Sequence, residues 1–286
     1  MNYSPLRYPG GKAKITPLVN LLMESSGVKN GTYIEPFVGG AGVALSLLFD
    51  NKVDRIVIND YDVAIYSIWN AIINETENFI SLIEDTPISV EEWKKQKKIY
   101  IEKNDTYSIE LAFATFYLNR TNRSGIIKAG PIGGYEQTGN YLIDARYNKS
   151  DLIKRIQKIS TYQGKIILYN KEIRDFIVNY LPIYHNNSFI YFDPPYFKKG
   201  KELYKNFFNL TDHRDIAELI RGLNIPWMVT YDDEAEIVDL YKDKFIKRYE
   251  INHSAANKGK NREIIALSSD FWPSKDAIGK LKMDIR

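Results

Sequence analysis

Residues 32–49 read Thr32-Tyr33-Ile34-Glu35-Pro36-Phe37-Val38-Gly39-Gly40-Ala41-Gly42-Val43-Ala44-Leu45-Ser46-Leu47-Leu48-Phe49. The aromatic and β-branched run at 32–34 predicts a strand, Glu35-Pro36-Phe37 ends it, and the apolar stretch from Val43 predicts a helix. Between them a glycine-rich turn lets a ligand approach the backbone at the amino end of that helix. Strand, glycine turn and helix together form the opening of a nucleotide-cofactor domain of α/β class. The glycine spacing is not Gly-x-Gly-x-x-Gly, which counts against a nicotinamide enzyme.

Working outward from this turn, a second strand at 55–58 ends at Asn59-Asp60, where an acid is placed to accept hydrogen bonds from ribose hydroxyls. Asp62, or no ligand at all, is the competing reading of this acidic pair. Upstream, Leu6-Arg7-Tyr8-Pro9-Gly10-Gly11-Lys12 precedes an apolar helical segment. A Pro-Gly-Gly turn with a lysine can hold an anionic group through converging backbone donors and one ammonium, or it can simply connect.

The chain of 286 residues is long enough for one large core, or for one core with an inserted subdomain. It contains no cysteine, which excludes disulfides and thiolate chemistry, and its 3 histidines are not at metal-ligand spacing, so no metal is expected. Neither a signal-peptide pattern nor a long uncharged apolar run occurs, so the expectation is a soluble, cytoplasmic protein. A net charge of +3 does not by itself call for a polyanion.

Beyond Asp62 the periodicity changes. Ile65, Ile68, Trp69, Ile72 and Ile73 share one helical face, and Ile109, Ala112, Phe113, Phe116 and Tyr117 repeat the spacing, which predicts an inserted helical subdomain over 63–159 between two parts of the α/β domain, 1–62 and 160–286. These apolar stripes read as core. Lys94-Lys95-Gln96-Lys97-Lys98 reads as a solvated face. Asn119-Arg120-Thr121-Asn122-Arg123-Ser124-Gly125 opens a polar, glycine-rich segment that continues to 148 and includes Lys128, Tyr135, Arg146 and Tyr147. Such groups can bond base edges and phosphates, and long polar loops in compact proteins are usually functional, so 119–148 is expected to be a nucleic-acid surface.

The α/β pattern returns with a strand at 165–169 followed by Glu172, which is placed to accept from a purine amino group, with Asp175 near enough to compete. Next comes Phe189-Ile190-Tyr191-Phe192-Asp193-Pro194-Pro195-Tyr196-Phe197. A buried strand ends in one carboxylate and two prolines; neither proline donates a ladder bond, and both hold the preceding residue extended. The Asp193 carboxylate and the Pro194 carbonyl can accept the two hydrogens of an amino group on a planar ring, and Tyr196 can stack on that ring. A strand end with a surface aromatic is the plainer alternative. Lys198, Lys199 and the basic, aromatic stretch to Phe208 read as a DNA-facing flap, with a merely mobile loop as the alternative. A further strand at 227–230 and a terminal hairpin, 248–252 with 263–267, complete the pattern.

Taken together and in order, Tyr8-Pro9-Gly10-Gly11-Lys12, Glu35-Pro36-Phe37-Val38-Gly39-Gly40, Asp60, Asn119-Arg120-Thr121 and Asp193-Pro194-Pro195-Tyr196 resemble the Dam-type, alpha-group DNA adenine methyltransferases. The resemblance implies a Rossmann-like methyltransferase fold, a seven-stranded, mostly parallel sheet with the last strand antiparallel, and a helical target-recognition insertion. It implies S-adenosyl-L-methionine as methyl donor, with Tyr8, Gly11, Lys12, Glu35, Phe37, Gly39, Gly40, Asp60, Glu172 and Asp193 as cofactor-binding residues. Asp193, Pro194, Pro195 and Tyr196 match the catalytic bracket. Asn119, Arg120, Thr121, Asn122, Arg123, Lys128, Tyr135, Arg146, Lys198 and Lys199 are the candidate DNA contacts.

Ala41 stands where many relatives carry glycine, and Arg123-Ser124-Gly125 replaces an aromatic-containing sequence. The implied activity is methyl transfer to the N6 amine of an adenine flipped out of double-stranded DNA, in a restriction-modification, phage or orphan role. A cognate restriction endonuclease would then be a second partner, and the enzyme a monomer or weak dimer. The alternatives are methylation of cytosine N4, RNA or a protein amide, or a catalytically silent DNA-binding module.

Overall fold

The computed structural model describes residues 3–8, 11–103, 105–198, 208–251 and 261–281. Seven strands form one sheet in the order β3-β2-β1-β4-β5-β7-β6, with β1 Thr32–Glu35, β2 Arg55–Asn59, β3 Ile166–Tyr169, β4 Ser188–Phe192, β5 Trp227–Asp232, β6 Phe245–Ile251 and β7 Asn261–Leu267. By compactness the chain divides into two units. One gathers Met1–Ala13, Val38–Ser46 and Ile58–Asn170, the other Lys14–Phe37, Leu47–Val57 and Lys171–Arg286.

The second unit holds β1, β4 and β5 in parallel register, Ile34 opposite Ile190 and Phe192 opposite Val229. All five residues of β4 are buried, as expected of a central parallel strand covered on both faces, and its continuous apolar sequence follows from that. β7 runs antiparallel to both of its neighbours, β5 and β6. The expected mostly parallel sheet with the last strand reversed is therefore present. The expected terminal hairpin is present as β6 and β7, while its connection at 252–260 lies outside the described residues.

The first unit contains the helices of the expected insertion: α3 Val63–Asn74, α4 Thr76–Asp85, α5 Val90–Glu102, α6 Ile109–Thr121 and α7 Lys149–Ser160, which follow α1 Thr16–Ser25 and α2 Gly42–Phe49 in the chain. Helix starts are set by local chemistry. Asp62, Ser89, Ser108 and Asn148 each accept a backbone N–H of the first turn, a cap contribution of about 1 kcal/mol apiece. The two apolar stripes are core, with Ile68, Trp69, Ile72, Phe116 and Tyr117 all fully buried. α6 is buried from Leu111 to Asn119 and again at Thr121, so it is the central helix of this unit rather than an amphipathic surface helix.

Candidate active site

In the first unit, the glycine turn is built by packing rather than by sequence alone. Gly39 and Ala41 adopt φ of +43° and +50°. A Cβ placed on Gly39 would lie 2.6 Å from the Tyr8 ring, and one on Gly40 2.9 Å from the Tyr8 Cβ. Only glycine at both positions lets Tyr8 lie against the turn. Asp60, at the end of β2, reaches back to the same turn. Its Oδ2 accepts the Gly39 N–H at 3.0 Å and its Oδ1 accepts the Asp62 N–H at 2.9 Å.

Burial, with the nearby Asp62 charge, raises the Asp60 carboxyl to about 7, although the two N–H donors pull the other way. Asp62 is accounted for as the cap of α3, accepting the Ala64 N–H at 3.0 Å. The Trp69 indole donates to the Gly39 carbonyl at 2.9 Å and so fixes the turn from the helical side. Trp69 reads in the sequence as one more apolar residue of a stripe. Lys12 is buried, with 6% of its surface exposed.

In the second unit, the parallel register of β1, β4 and β5 brings Glu35, Asp193 and Asp232 to the carboxyl ends of adjacent strands. Glu35 is buried, and Tyr33 beside it is held neutral by burial and by the Glu35 charge. Thr230 donates to Asp193 Oδ1 at 2.6 Å and shares a hydrogen bond of 2.9 Å with the Tyr191 hydroxyl. Since the Thr230 proton goes to the carboxylate, Tyr191 is the donor to Thr230, and the relay fixes the carboxylate's orientation. Asp232 accepts the Phe197 and Lys198 N–H groups, each at 3.0 Å. Phe37 packs edge-on against Phe208, with ring centroids 6.1 Å apart.

Several sequence candidates have partners within the chain, and one alternative reading falls. Tyr196 is no surface aromatic: it is 8% exposed and its hydroxyl donates to buried Glu263. Glu172 caps the helical turn Ile173–Asp175, accepting the Arg174 and Asp175 N–H groups at 2.8 and 3.3 Å while pairing with the Arg174 guanidinium at 3.3 Å. Asp175 accepts from the Asn179 side chain. Lys198 pairs with Glu234, and Lys199 lies outside the described residues.

The largest correction concerns the expected nucleic-acid surface. Asn119, Thr121 and Asn122 are buried at 2%, 0% and 0% exposure. Asn119 accepts the Arg7 N–H and donates to the Arg7 and Gly125 carbonyls. Thr121 bonds back to the Tyr117 carbonyl, as a helical threonine can, and Asn122 accepts from the Trp93 indole while donating to the Ile126 and Ile127 carbonyls. Arg120 donates to the Pro5 and Arg146 carbonyls; burial, with Arg7 and Arg155 close by, lowers its guanidinium to about 10. This stretch ties the amino-terminal segment to α6. Buried side chains whose donors and acceptors are taken by other groups of the chain are not available to read bases. Tyr147, 4% exposed, is likewise interior.

What remains on the surface is Arg123, Lys128, Tyr135 and Arg146, with Tyr141 and Leu142. The loop that carries Tyr135, Tyr141 and Leu142 is ordered from within. The Gln137 side chain donates to the Ile132 and Gly134 carbonyls and accepts the Ile143 N–H at 2.8 Å.

A family model for D12 class N6 adenine-specific DNA methyltransferases matches residues 8–257. The chain belongs to this family. The methyltransferase is also 27% identical over 238 residues to the type II methyltransferase M.MjaIII of Methanocaldococcus jannaschii, with 77% of this chain and 79% of the relative covered. Among solved structures it is similar to the Haemophilus influenzae protein HI0767, described as a methylase, at a TM-score of 0.34 and 10% identity, covering 91% of this chain and 90% of that one. By its family the chain is an adenine-specific DNA methyltransferase, and its sheet and helices are of α/β class. Adenine in DNA, rather than cytosine, RNA or a protein amide, is what its family modifies, and a silent binding module is not the family's description. Among the described residues, no helix is long and apolar enough to cross a membrane.

Proposed function

We propose that the methyltransferase takes its methyl group from S-adenosyl-L-methionine and transfers it to the N6 amine of an adenine extruded from a specific site in duplex DNA. When bound, this donor supplies an electrophilic methyl group. The residues of the first unit fit such a molecule chemically. Asp60 offers a carboxylate to ribose hydroxyls, Gly39 and Gly40 leave the turn bare of side chains, and Tyr8 lies against it, with Gly11 and Lys12 following Tyr8 in the chain. Glu35, Phe37 and Glu172 of the second unit are the further candidates that the family resemblance names, Glu172 at the start of the short helical turn that it caps.

The observation that carries the reading is the fixed carboxylate of Asp193. An aspartate locked by Thr230, followed by two prolines, offers the adenine amine an oriented acceptor, and the Pro194 carbonyl offers a second. Accepting both amine hydrogens localises the nitrogen lone pair for in-line attack, so little proton transfer is needed beforehand. Pro195 keeps the backbone extended, and Tyr196 presents a ring whose stacking on the base is worth roughly 1–3 kcal/mol. Extrusion of the base costs a few kcal/mol, and preorganisation supplies the acceleration.

The helical segment 63–159 serves as the target-recognition part, with exposed Arg123, Lys128, Tyr135 and Arg146 as its DNA contacts. The named relative supports a restriction-modification role, with phage-borne and orphan roles as the alternatives. The test uses labelled donor, unmethylated genomic DNA and mass analysis of the digested nucleosides. N6-methyladenine is expected from the wild type, and none from Asp193→Ala, which retains DNA binding. Near-normal turnover by that variant would overturn the assignment.

A further inference from the structure

Tyr196, the last residue of the bracket, and Phe197 and Lys198 after it are gripped at three points by two carboxylates on neighbouring strands. Glu263 Oε1 accepts the Tyr196 hydroxyl, and Asp232 accepts the two N–H groups that follow, at 3.0 Å each. Asp232 of β5 and Glu263 of β7 are directly opposite each other in the antiparallel ladder. Cross-strand partners place their side chains on the same face. Thr230, two residues before Asp232 on β5, shares that face and holds Asp193. One face of two paired strands therefore carries a contact to each end of the bracket.

Glu263 is 1% exposed, and its second oxygen accepts the hydroxyl of Tyr249, itself 1% exposed and opposite Glu263 on β6. Burial and the Glu263 charge keep Tyr249 protonated well above the usual phenol range, so it remains a donor throughout working pH. Burying a carboxylate is costly unless its oxygens are satisfied. Here two phenols satisfy it, and one of them belongs to the catalytic bracket. A surface aromatic free to rotate would need none of this. The plainer alternative, a strand end with a Pro-Pro turn, gives no reason for it either.

We propose that Glu263, with Asp232, is a positioning residue for methyl transfer: it holds the Tyr196 ring by its hydroxyl in the orientation that receives the extruded base. This rests on the adenine-transfer reading. Tyr249 anchors the other side of the same carboxylate, and its hydroxyl bonds Glu263 Oε2 rather than the oxygen that holds Tyr196, so it is the structural control.

The test measures kcat and donor KM for methyl transfer to unmethylated genomic DNA, together with melting temperature, for the full-length Glu263→Gln, Tyr196→Phe and Tyr249→Phe variants and the Glu263→Gln/Tyr196→Phe double variant. Glutamine offers one acceptor oxygen to two phenol donors, so one contact weakens. Expected are a loss of kcat of roughly ten- to a hundredfold in Glu263→Gln and Tyr196→Phe, with donor KM within about threefold of wild type. The double variant should be no slower than its slower parent. Tyr249→Phe should lose comparable thermal stability while keeping kcat within about threefold.

Equal kcat values for Tyr196→Phe and Tyr249→Phe, or additive losses in the double variant, would overturn the proposal. Should Glu263→Gln fail to fold, the comparison of the two tyrosine variants decides alone. Product analysis of the wild type separates the two levels. Absence of N6-methyladenine there defeats the functional reading, whereas its presence with unaffected variants defeats only the positioning role.

Discussion

Ala41 sits at φ +50° in the turn that follows β1, a conformation that costs an L-residue with a side chain roughly 1–2 kcal/mol. Glycine would relieve that cost but lose about 0.5–1 kcal/mol through its freer unfolded chain. Ala41→Gly is therefore expected to leave stability unchanged or to raise it by up to about 1.5 kcal/mol. Ala41→Val, branched at Cβ, should lower it by more than about 2 kcal/mol. Urea unfolding of the three proteins checks both signs; a clear loss in Ala41→Gly would mean that the methyl group packs usefully.

Asp60 carries the other residue-scale expectation. Its carboxyl is raised from 3.8 to about 7, mainly by burial, so between those values the folded chain holds a proton that the unfolded chain has lost. Stability from this group accordingly falls as pH rises across that window, and the penalty is complete above about 7. A ligand hydroxyl that donates to Asp60 needs the ionised form, so donor binding should run the opposite way. Affinity for S-adenosyl-L-methionine should drop by about tenfold from pH 8 to pH 6. Calorimetric titration at both values, with Asp60→Asn as reference for the donor's own titration, measures the effect. A wild-type dependence no steeper than that of Asp60→Asn would remove Asp60 from the site.

At the scale of elements, α6 is a helix whose carboxyl end holds the segment around Arg7. Asn119 makes three hydrogen bonds there, two to Arg7 and one to Gly125. A Cβ on Gly125 would lie 2.4 Å from the Arg7 carbonyl, so the two segments are in close contact. Asn119→Ala would strand three backbone groups away from water, at about 2–4 kcal/mol. Chemical denaturation should show that loss, while the folded variant binds DNA with wild-type affinity. A stable variant with weakened DNA binding would return Asn119 to the nucleic-acid surface.

For the whole molecule, the small net charge conceals a local asymmetry. Arg123, Lys128 and Arg146 are exposed around a loop stiffened by Gln137. Phosphate contacts release counterions, so each lysine or arginine that makes one adds about one unit to the slope of log affinity against log salt. Single alanine substitutions at these three positions are expected to weaken binding to all duplexes alike and to flatten that slope by about one unit each. Fluorescence anisotropy across a salt series tests this, and an unchanged slope would clear the residue concerned of phosphate contact.

Local chemistry was legible wherever it is decided by neighbours along the chain. The strand and glycine turn at 32–49, the acid ending β2, the apolar stripes of α3 and α6 and the strand that breaks at Asp193 all follow from period, turn chemistry and the missing N–H of proline. The ordered set of these motifs was enough to point to the family before any strand was paired.

Burial of polar groups was not legible, because asparagine, threonine and arginine have the same donors whether they meet a phosphate or a backbone carbonyl. Tertiary packing sent Asn119, Thr121 and Asn122 inward, turned Glu172 into a helix cap and placed Tyr196 beneath Glu263, 67 residues away in the chain. Thr230, Asp232 and Glu263 acquire their meaning only when β4, β5 and β7 align, since a carboxylate's partner is chosen by the register of strands that no local pattern specifies.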